Sequence, residues 1–379
     1  MCYSFRSTEP ALMDPPLGYI KLGRNINIMH GFLTASDHAR ETGADVFQIF
    51  FKSPHSRATK RRDPRDLLHL RQRVTDNGQR VLVHGSFMLN FCHPPDSAIH
   101  RDAVLNLMND LNDSVQLGAL GVVVHMGHNT GKLAYDQAVS NYVDGIRLAL
   151  RLADPASVVV LETGAGQGSE VCTSLFELGG LRDRFPEGER SRIKFCLDTC
   201  HMYASGYDVG NPVYVEMLED LIETCLGWHN VIAIHLNDSA KGLDCHVDRH
   251  ADIGTGYIGM EGMLAFIRAC CRRGIPLFLE TPCNTFTTTG ERYTHQKQME
   301  FIRRSLAHVG DAGGDAGGDA GGDAGVHAGV GAGGGAGGGA GVPPPNIVCP
   351  CSITTDGNRG LLQDTGEEEG SPDRDHREF

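Results

Sequence analysis

The chain has 379 residues, 40% of them hydrophobic, with 12 cysteines and a formal net charge of −13. It has no apolar run near the roughly 18 residues a membrane span needs, no opening signal-peptide pattern, and cysteines too scattered for a small disulfide scaffold. These features exclude a membrane partner and a disulfide-stapled module and predict an intracellular protein with reduced thiols, while the acidic charge argues at first against nucleic acid.

Residues 1–17 contain Pro10, Pro15 and Pro16 and read as an irregular extension. Gly18 to Ile28 is a predicted first strand, and Thr34 to Gly43 a helix opening on a capping Thr or Ser. Val46 to Phe51 is the second strand, followed by a polar, basic loop from Lys52 to Arg62 and a helix from Asp66 to Asn77. The third strand ends at His84. Asp96 to Leu117 spaces Val104, Leu107, Met108, Leu111, Val115 and Leu117 as a long amphipathic helix does. The fourth strand ends at His125, a helix runs from Leu133 to Asp154, and the fifth strand ends at Glu162. Leu175 to Phe185 is helical and Ile193 to Asp198 is the sixth strand. Val231 to Leu236 and Leu277 to Glu280 are the seventh and eighth, with helices over Val213 to Cys225, Met260 to Arg273 and Gln296 to Ala307. This alternation predicts one (β/α)8 TIM barrel over residues 18–307.

Past the barrel, residues 308–345 are dominated by Gly, Ala and Asp, including a Gly-Gly-Asp-Ala repeat. They offer too little apolar surface to offset ordering entropy and read as a linker. Residues 346–379 read as a disordered acidic tail in which Ile347 to Ile353 is an adhesive peptide. Its Cys349 and Cys351 lack the second pair a zinc site needs. The tail also explains the charge. Of the 47 acidic and 34 basic residues, 12 and 3 lie in 307–379, which leaves −4 for residues 1–306.

Six of the predicted strands end in a metal-binding side chain: His84, His125, Glu162, Asp198, His235 and Glu280. A lone histidine on an apolar strand is usually a satisfied core residue. Carboxylates that directly follow apolar runs are costly to bury unless a cation or partner neutralises them, and Glu162, Asp198 and Glu280 all do so. His201 follows Asp198 by three residues, and Asp248 and His250 are two apart, on one side of an extended chain. Imidazole nitrogen with carboxylate oxygen suits zinc, with manganese or iron as alternatives.

Three segments carry a resemblance to a known family: Ala165-Gly-Gln-Gly-Ser169; Cys196-Leu-Asp-Thr-Cys-His201 with Ala204-Ser-Gly-Tyr-Asp208; and His235-Leu-Asn-Asp238 with Val247-Asp-Arg-His250 and Ile253-Gly-Thr-Gly256. From Gly18 to Ala307 the chain resembles endonuclease IV, the trinuclear-zinc apurinic/apyrimidinic endonucleases. The resemblance implies that His84, His125 and Glu162 hold one zinc, and that Glu162, Asp198, His235 and Glu280 hold a second. It assigns the third to His201, Asp248 and His250. Three divalent ions would add six positive charges, so the local field is expected to be positive in an acidic chain. It further implies a monomer that cuts duplex DNA 5′ to abasic sites and trims blocked 3′ ends. Glu162 and Glu280 would be the catalytic carboxylates, and Phe87 and Met88 the apolar wedge at the lesion.

Two places depart from the family pattern. Its first strand ends Gly-x-His-x-Ser, whereas this chain reads Gly23-Arg-Asn-Ile-Asn27, with Asn25 at the histidine position. The loop after the second strand is also altered, and Lys52, His55 and Arg57 are expected to serve there through phosphate contacts. Two rival readings stand beside this one: a two-metal sugar isomerase or epimerase of the same barrel type, and a DNA-binding barrel without chemistry.

Overall fold

A computed structural model describes residues 20–58, 61–311 and 347–348. The extension 1–17 and nearly all of the linker and tail lie outside the described residues.

The strands are β1 (Leu22–Asn25), β2 (Val46–Phe50), β3 (Arg80–His84), β4 (Val122–Val124), β5 (Val159–Glu162), β6 (Ile193–Asp198) and β7 (Val231–His235). They continue as β8 (Asp238–Ser239), β9 (His250–Ala251), β10 (Leu277–Leu279), β11 (Phe286–Thr287) and β12 (Ile347–Val348). β1 to β7 and β10 close into a parallel barrel in chain order, β10 sealing it between β7 and β1. Closure leaves no exposed barrel edge and directs every C-terminal strand end to the same mouth.

Inside the barrel the period of two creates distinct layers. Val46, Leu82, Val123, Val160, Cys196, Ala233 and Phe278 form a dry cluster separate from the main core. Two residues further along the same seven strands stand Gln48, His84, His125, Glu162, Asp198, His235 and Glu280. The eighth strand, β1, contributes Gly23 at the dry level and Asn25, paired in register with Gln48, at the level above. Gly23 has to be glycine, because a Cβ there would sit 1.6 Å from the Val46 carbonyl oxygen. The main core lies outside the strands, where Leu22, Phe47, Ile49, Val81, Leu161, Phe195 and Leu277 meet the helices.

Most predicted elements lie within a few residues of their observed ends. The first strand is shorter than expected because the Asn27 side chain accepts the Met29 N–H and turns residues 28–30 into a 3-10 helix. The helix at Ala35–Glu41 gains no side-chain cap; the Thr34 hydroxyl bonds the Gly31 carbonyl instead. His125 and Glu280 fall one residue past their strands. Two short α-helices were not anticipated: Glu187–Arg190, ahead of β6, and Thr199–Ala204, which follows β6 directly, capped by Asp198 accepting the N–H groups of Cys200 and His201. The first two residues of the expected adhesive peptide, Ile347 and Val348, pair antiparallel with Phe286–Thr287. β-branched residues suit such an edge.

Candidate metal centre

The nine predicted ligands converge at the C-terminal mouth, where five overlapping candidate groups form among the described residues, three of them the expected sets. His84, His125 and Glu162 form one set; Glu162, Asp198, His235 and Glu280 a second; His201, Asp248 and His250 a third, with donor atoms within 4.8 Å of one another in each. Glu162 belongs to two sets because its oxygens face apart. Oε1 lies 2.7 Å from His235 Nδ1, while Oε2 lies 3.1 Å from His125 Nε2 and 3.4 Å from His84 Nε2. In the third set, Asp248 Oδ1 is 3.3 Å from the Nε2 of both His201 and His250. The short helix after β6 and the loop before β9 bring these three together.

Hydrogen bonds from outside aim the imidazoles. His84 Nδ1 donates to the Gly85 carbonyl at 2.7 Å, His201 Nδ1 to the Thr163 carbonyl at 2.8 Å, and His235 Nε2 to Gln48 Oε1 at 2.8 Å. Each ring therefore turns its other nitrogen toward the cluster, the usual arrangement of a metal-ligating histidine. Glu162 Oε2, His201 Nε2 and His250 Nε2 are buried without any hydrogen-bond partner. Facing lone pairs at these separations call for a cation between them, so the donor set fits divalent metal.

The electrostatics agree. Burial pushes His125 down to about 4, against the pull of Glu162, leaving it in the neutral form a metal takes. Burial opposes ionisation of Asp248, but the nearby imidazoles of His201 and His250 hold it below the usual carboxylate range. Without cations, protons take over part of the neutralisation. Burial works against charge on His201 and His235, yet Asp198 and Asp248 around the first, and Glu280 and Glu162 around the second, hold both imidazoles well above their ordinary value. The protons on their inward nitrogens are the ones a metal displaces.

Three bracing residues were missed by sequence reasoning. Gln48 bonds His235 with its oxygen and donates to Glu280 Oε1 at 2.6 Å. Asn237 donates to Asp198 Oδ2 at 2.7 Å and accepts the Glu280 N–H at 2.9 Å. Gln167, in the Ala165–Ser169 motif, accepts the Asp248 N–H at 3.1 Å. The available signal was a polar residue inside the apolar run Val46–Phe50. Asp238 explains another quoted motif: its carboxylate accepts N–H groups from Ser239, Gly254, Gly256 and Ile258, tying residues 253–256 to the strand β8. A side chain at Gly256 would meet the Ser239 carbonyl oxygen at 2.3 Å.

The expected DNA-contact residues fare differently. Phe87 is 45% exposed, and its ring packs against His84 and His125, with centroids at 5.3 and 5.2 Å. Met88 lines a small cleft with Arg57 and Leu89. His55 and Arg57 are exposed on the rim. Lys52 is corrected: its amine lies 2.8 Å from Asp110 and also bonds Asn106, with only 11% of the side chain exposed. Asp110 is buried, which pushes its carboxyl up to about 6 even with Lys52 beside it. The lysine is thus held inside the protein rather than offered to phosphate.

A closed parallel barrel that gathers nitrogen and oxygen donors at its C-terminal mouth defines a barrel protein with a cluster of candidate metal ligands. A family profile described as xylose isomerase-like TIM barrel matches residues 36–305. The putative endonuclease 4 of Acanthamoeba polyphaga mimivirus is 39% identical over 288 residues, spanning 75% of this chain and 92% of that protein. The probable endonuclease 4 of Symbiobacterium thermophilum is 32% identical over 284 residues, 74% of this chain and 99% of that one. The crystal structure of endonuclease IV from Thermus thermophilus superposes with a TM-score of 0.64 at 28% identity, covering 76% of this chain and 99% of that chain. The chain belongs to the endonuclease 4 family, within the xylose isomerase-like TIM barrels.

Proposed function

We propose that this protein is a DNA repair endonuclease that hydrolyses the phosphodiester 5′ to abasic sites in duplex DNA. The products are a 3′-hydroxyl and a 5′-deoxyribose phosphate, and the same site trims blocked 3′ ends. The reading rests above all on the third donor set, His201, Asp248 and His250, beside the two that share Glu162. A two-metal sugar isomerase has no use for that set, and a barrel without chemistry has no reason to keep every donor.

Zinc, or manganese in its place, would supply Lewis acidity and a water whose pKa falls toward about 7 in favourable sites. The chain does the rest. Glu162 joins the first two donor sets through its separate oxygens, and Glu280, fixed by Gln48 and the Asn237 side chain, closes the second. His201, Asp248 and His250 lie directly beside Glu162 and Asp198, where an ion they held would set positive charge against the departing 3′ oxygen. Phe87 stands half-exposed over His84 and His125, where an apolar ring takes up the stacking lost at a lesion. An abasic sugar leaves the helix at lower cost than a paired nucleotide, which is the source of selectivity.

The test is incision of a duplex carrying one tetrahydrofuran abasic analogue, labelled separately at each end, with and without EDTA. Metal-dependent cutting on the 5′ side of the lesion, lost in Glu280→Gln, is expected. Sugar epimerisation without incision would overturn the proposal.

A further inference from the structure

Of the eight inward positions at the level of the metal ligands, six carry ligating side chains and a seventh, Gln48, braces two of them. The eighth, Asn25, makes no side-chain hydrogen bond among the described residues, and its Oδ1 is buried without a partner there. A buried, unsatisfied polar atom in a ring where every other member has a role calls for an explanation. Asn25 borders a cavity of about 400 Å³ shared with Asn27, Met29, Phe50, Lys52 and Arg62. That volume falls within the range of small-molecule sites.

The cavity adjoins the metal centre, because its wall residue Phe50 stacks on His84 with centroids 4.7 Å apart. Its charge is also specific. Lys52 is neutralised by Asp110, whereas Arg62 forms no ion pair among the described residues, although the charges of Asp113, Asp66 and Asp110 reach its half-buried guanidinium. Arg61 takes the side-chain bond to Asp113, and Arg62 gives that aspartate only its backbone N–H. The Arg62 guanidinium lies 4.8 Å from the centre of the Phe32 ring, held by its face with its donors left over. At the lip Met29 is 87% exposed, and the Asn27 side chain holds its turn through a 2.9 Å bond to the Met29 N–H.

A fixed cation, an unsatisfied amide and an exposed apolar side chain match the phosphate, base edge and base face of a nucleotide. We propose that this cavity is a subsite for one unstacked nucleotide of the DNA substrate, next to the scissile bond, with Arg62 on its phosphate, Asn25 on its polar edge and Met29 against its base. The inference rests on the endonuclease reading and makes Arg62 the phosphate cation of this rim in place of Lys52. All three bind the substrate directly, away from the reacting atoms.

The experiment compares metal-replete wild-type protein with Arg62→Gln, Arg62→Lys, Asn25→Ala and Met29→Ala. It follows three quantities: kinetics on the tetrahydrofuran duplex, hydrolysis of bis(p-nitrophenyl) phosphate, and salt-dependent affinity for the nicked product duplex by fluorescence anisotropy. For Arg62→Gln the duplex KM rises about 10-fold with kcat within about 2-fold, and the slope of log affinity against log salt falls by about 1. Arg62→Lys restores the slope but not the whole of KM, since lysine is a point charge without the planar fork. Asn25→Ala and Met29→Ala raise KM by a smaller factor, the latter at a position too exposed to act through folding. Hydrolysis of the small diester, which has no neighbouring nucleotide, is unchanged throughout. Wild-type KM and salt slope in Arg62→Gln, or equal losses on both substrates, would overturn the subsite. Failure of the wild-type protein to incise the duplex would instead overturn the endonuclease reading on which it rests.

Discussion

Replacing Gln48 with leucine tests how far the metal centre depends on a residue that is not a ligand. The change keeps the volume roughly constant and removes two bonds, one at 2.8 Å from the His235 Nε2–H and one at 2.6 Å to Glu280 Oε1. Loss of such outer partners lowers metal affinity by about 10- to 100-fold, equivalent to roughly 1.4–2.7 kcal/mol at the set shared by Glu162, Asp198, His235 and Glu280. At a fixed excess of free zinc, the same amount disappears from the stability of the loaded protein, a fall in Tm of about 3–8 °C for a domain of this size. The assay is zinc titration against a competing fluorescent chelator, paired with thermal unfolding of loaded and EDTA-treated protein. The metal-free pair separates any folding cost of the unsatisfied His235 N–H from the effect on binding. Zinc affinity within twofold of wild type would refute the reasoning, because it would mean that His235 and Glu280 hold their geometry unaided.

Three other predictions concern the buried charges and the tail. In metal-free protein His201 and His235 have pKa values raised above the unfolded value near 6.5, so their contribution is complete below about pH 6.5 and is lost as pH rises through the folded values. EDTA-treated protein should therefore melt higher at pH 6 than at pH 8.5, while zinc narrows or reverses that order because it must displace those protons; equal metal-free melting temperatures would contradict this. Lys52→Met leaves Asp110 buried without its partner and should cost about 3–5 kcal/mol in urea unfolding. The Lys52→Met, Asp110→Leu double variant should recover most of that and bind DNA as wild type does; weakened DNA binding by the double variant would return Lys52 to the interface. Truncation after Asp311 should leave kcat/KM for duplex incision within about twofold, and a larger loss would make the tail part of the enzyme.

The metal centre was readable from sequence because burial of charge is costly and local. An apolar strand that ends in Glu162, Asp198 or Glu280 announces its carboxylate, and the period of two gathers such ends on one face. The bracing amides lack this contrast. Gln48 and Asn237 are neutral, and their value depends on which strands become neighbours across a closed barrel. The pairing of Lys52 with Asp110 was hidden for a related reason: it spans a loop and a long helix, and only the packing of Ala98–Leu117 brings the two together. The helix at Thr199–Ala204 was overlooked because Asp198 serves two purposes, as a ligand candidate and as the cap that starts the turn carrying His201. Asn25 was visible as a departure from the family pattern, but that its Oδ1 lacks a partner among the described residues appears only once the ring around it is complete.

Metal content measured against incision rate tests most directly whether the three donor sets act together on abasic DNA. Protein reconstituted stepwise with zinc, analysed by plasma mass spectrometry and assayed on the tetrahydrofuran duplex, should reach full 5′ incision only at about three ions per chain. Asp248→Asn should retain two ions and lose incision. Full activity at two ions per chain, or undiminished incision by the Asp248→Asn variant, would contradict the account.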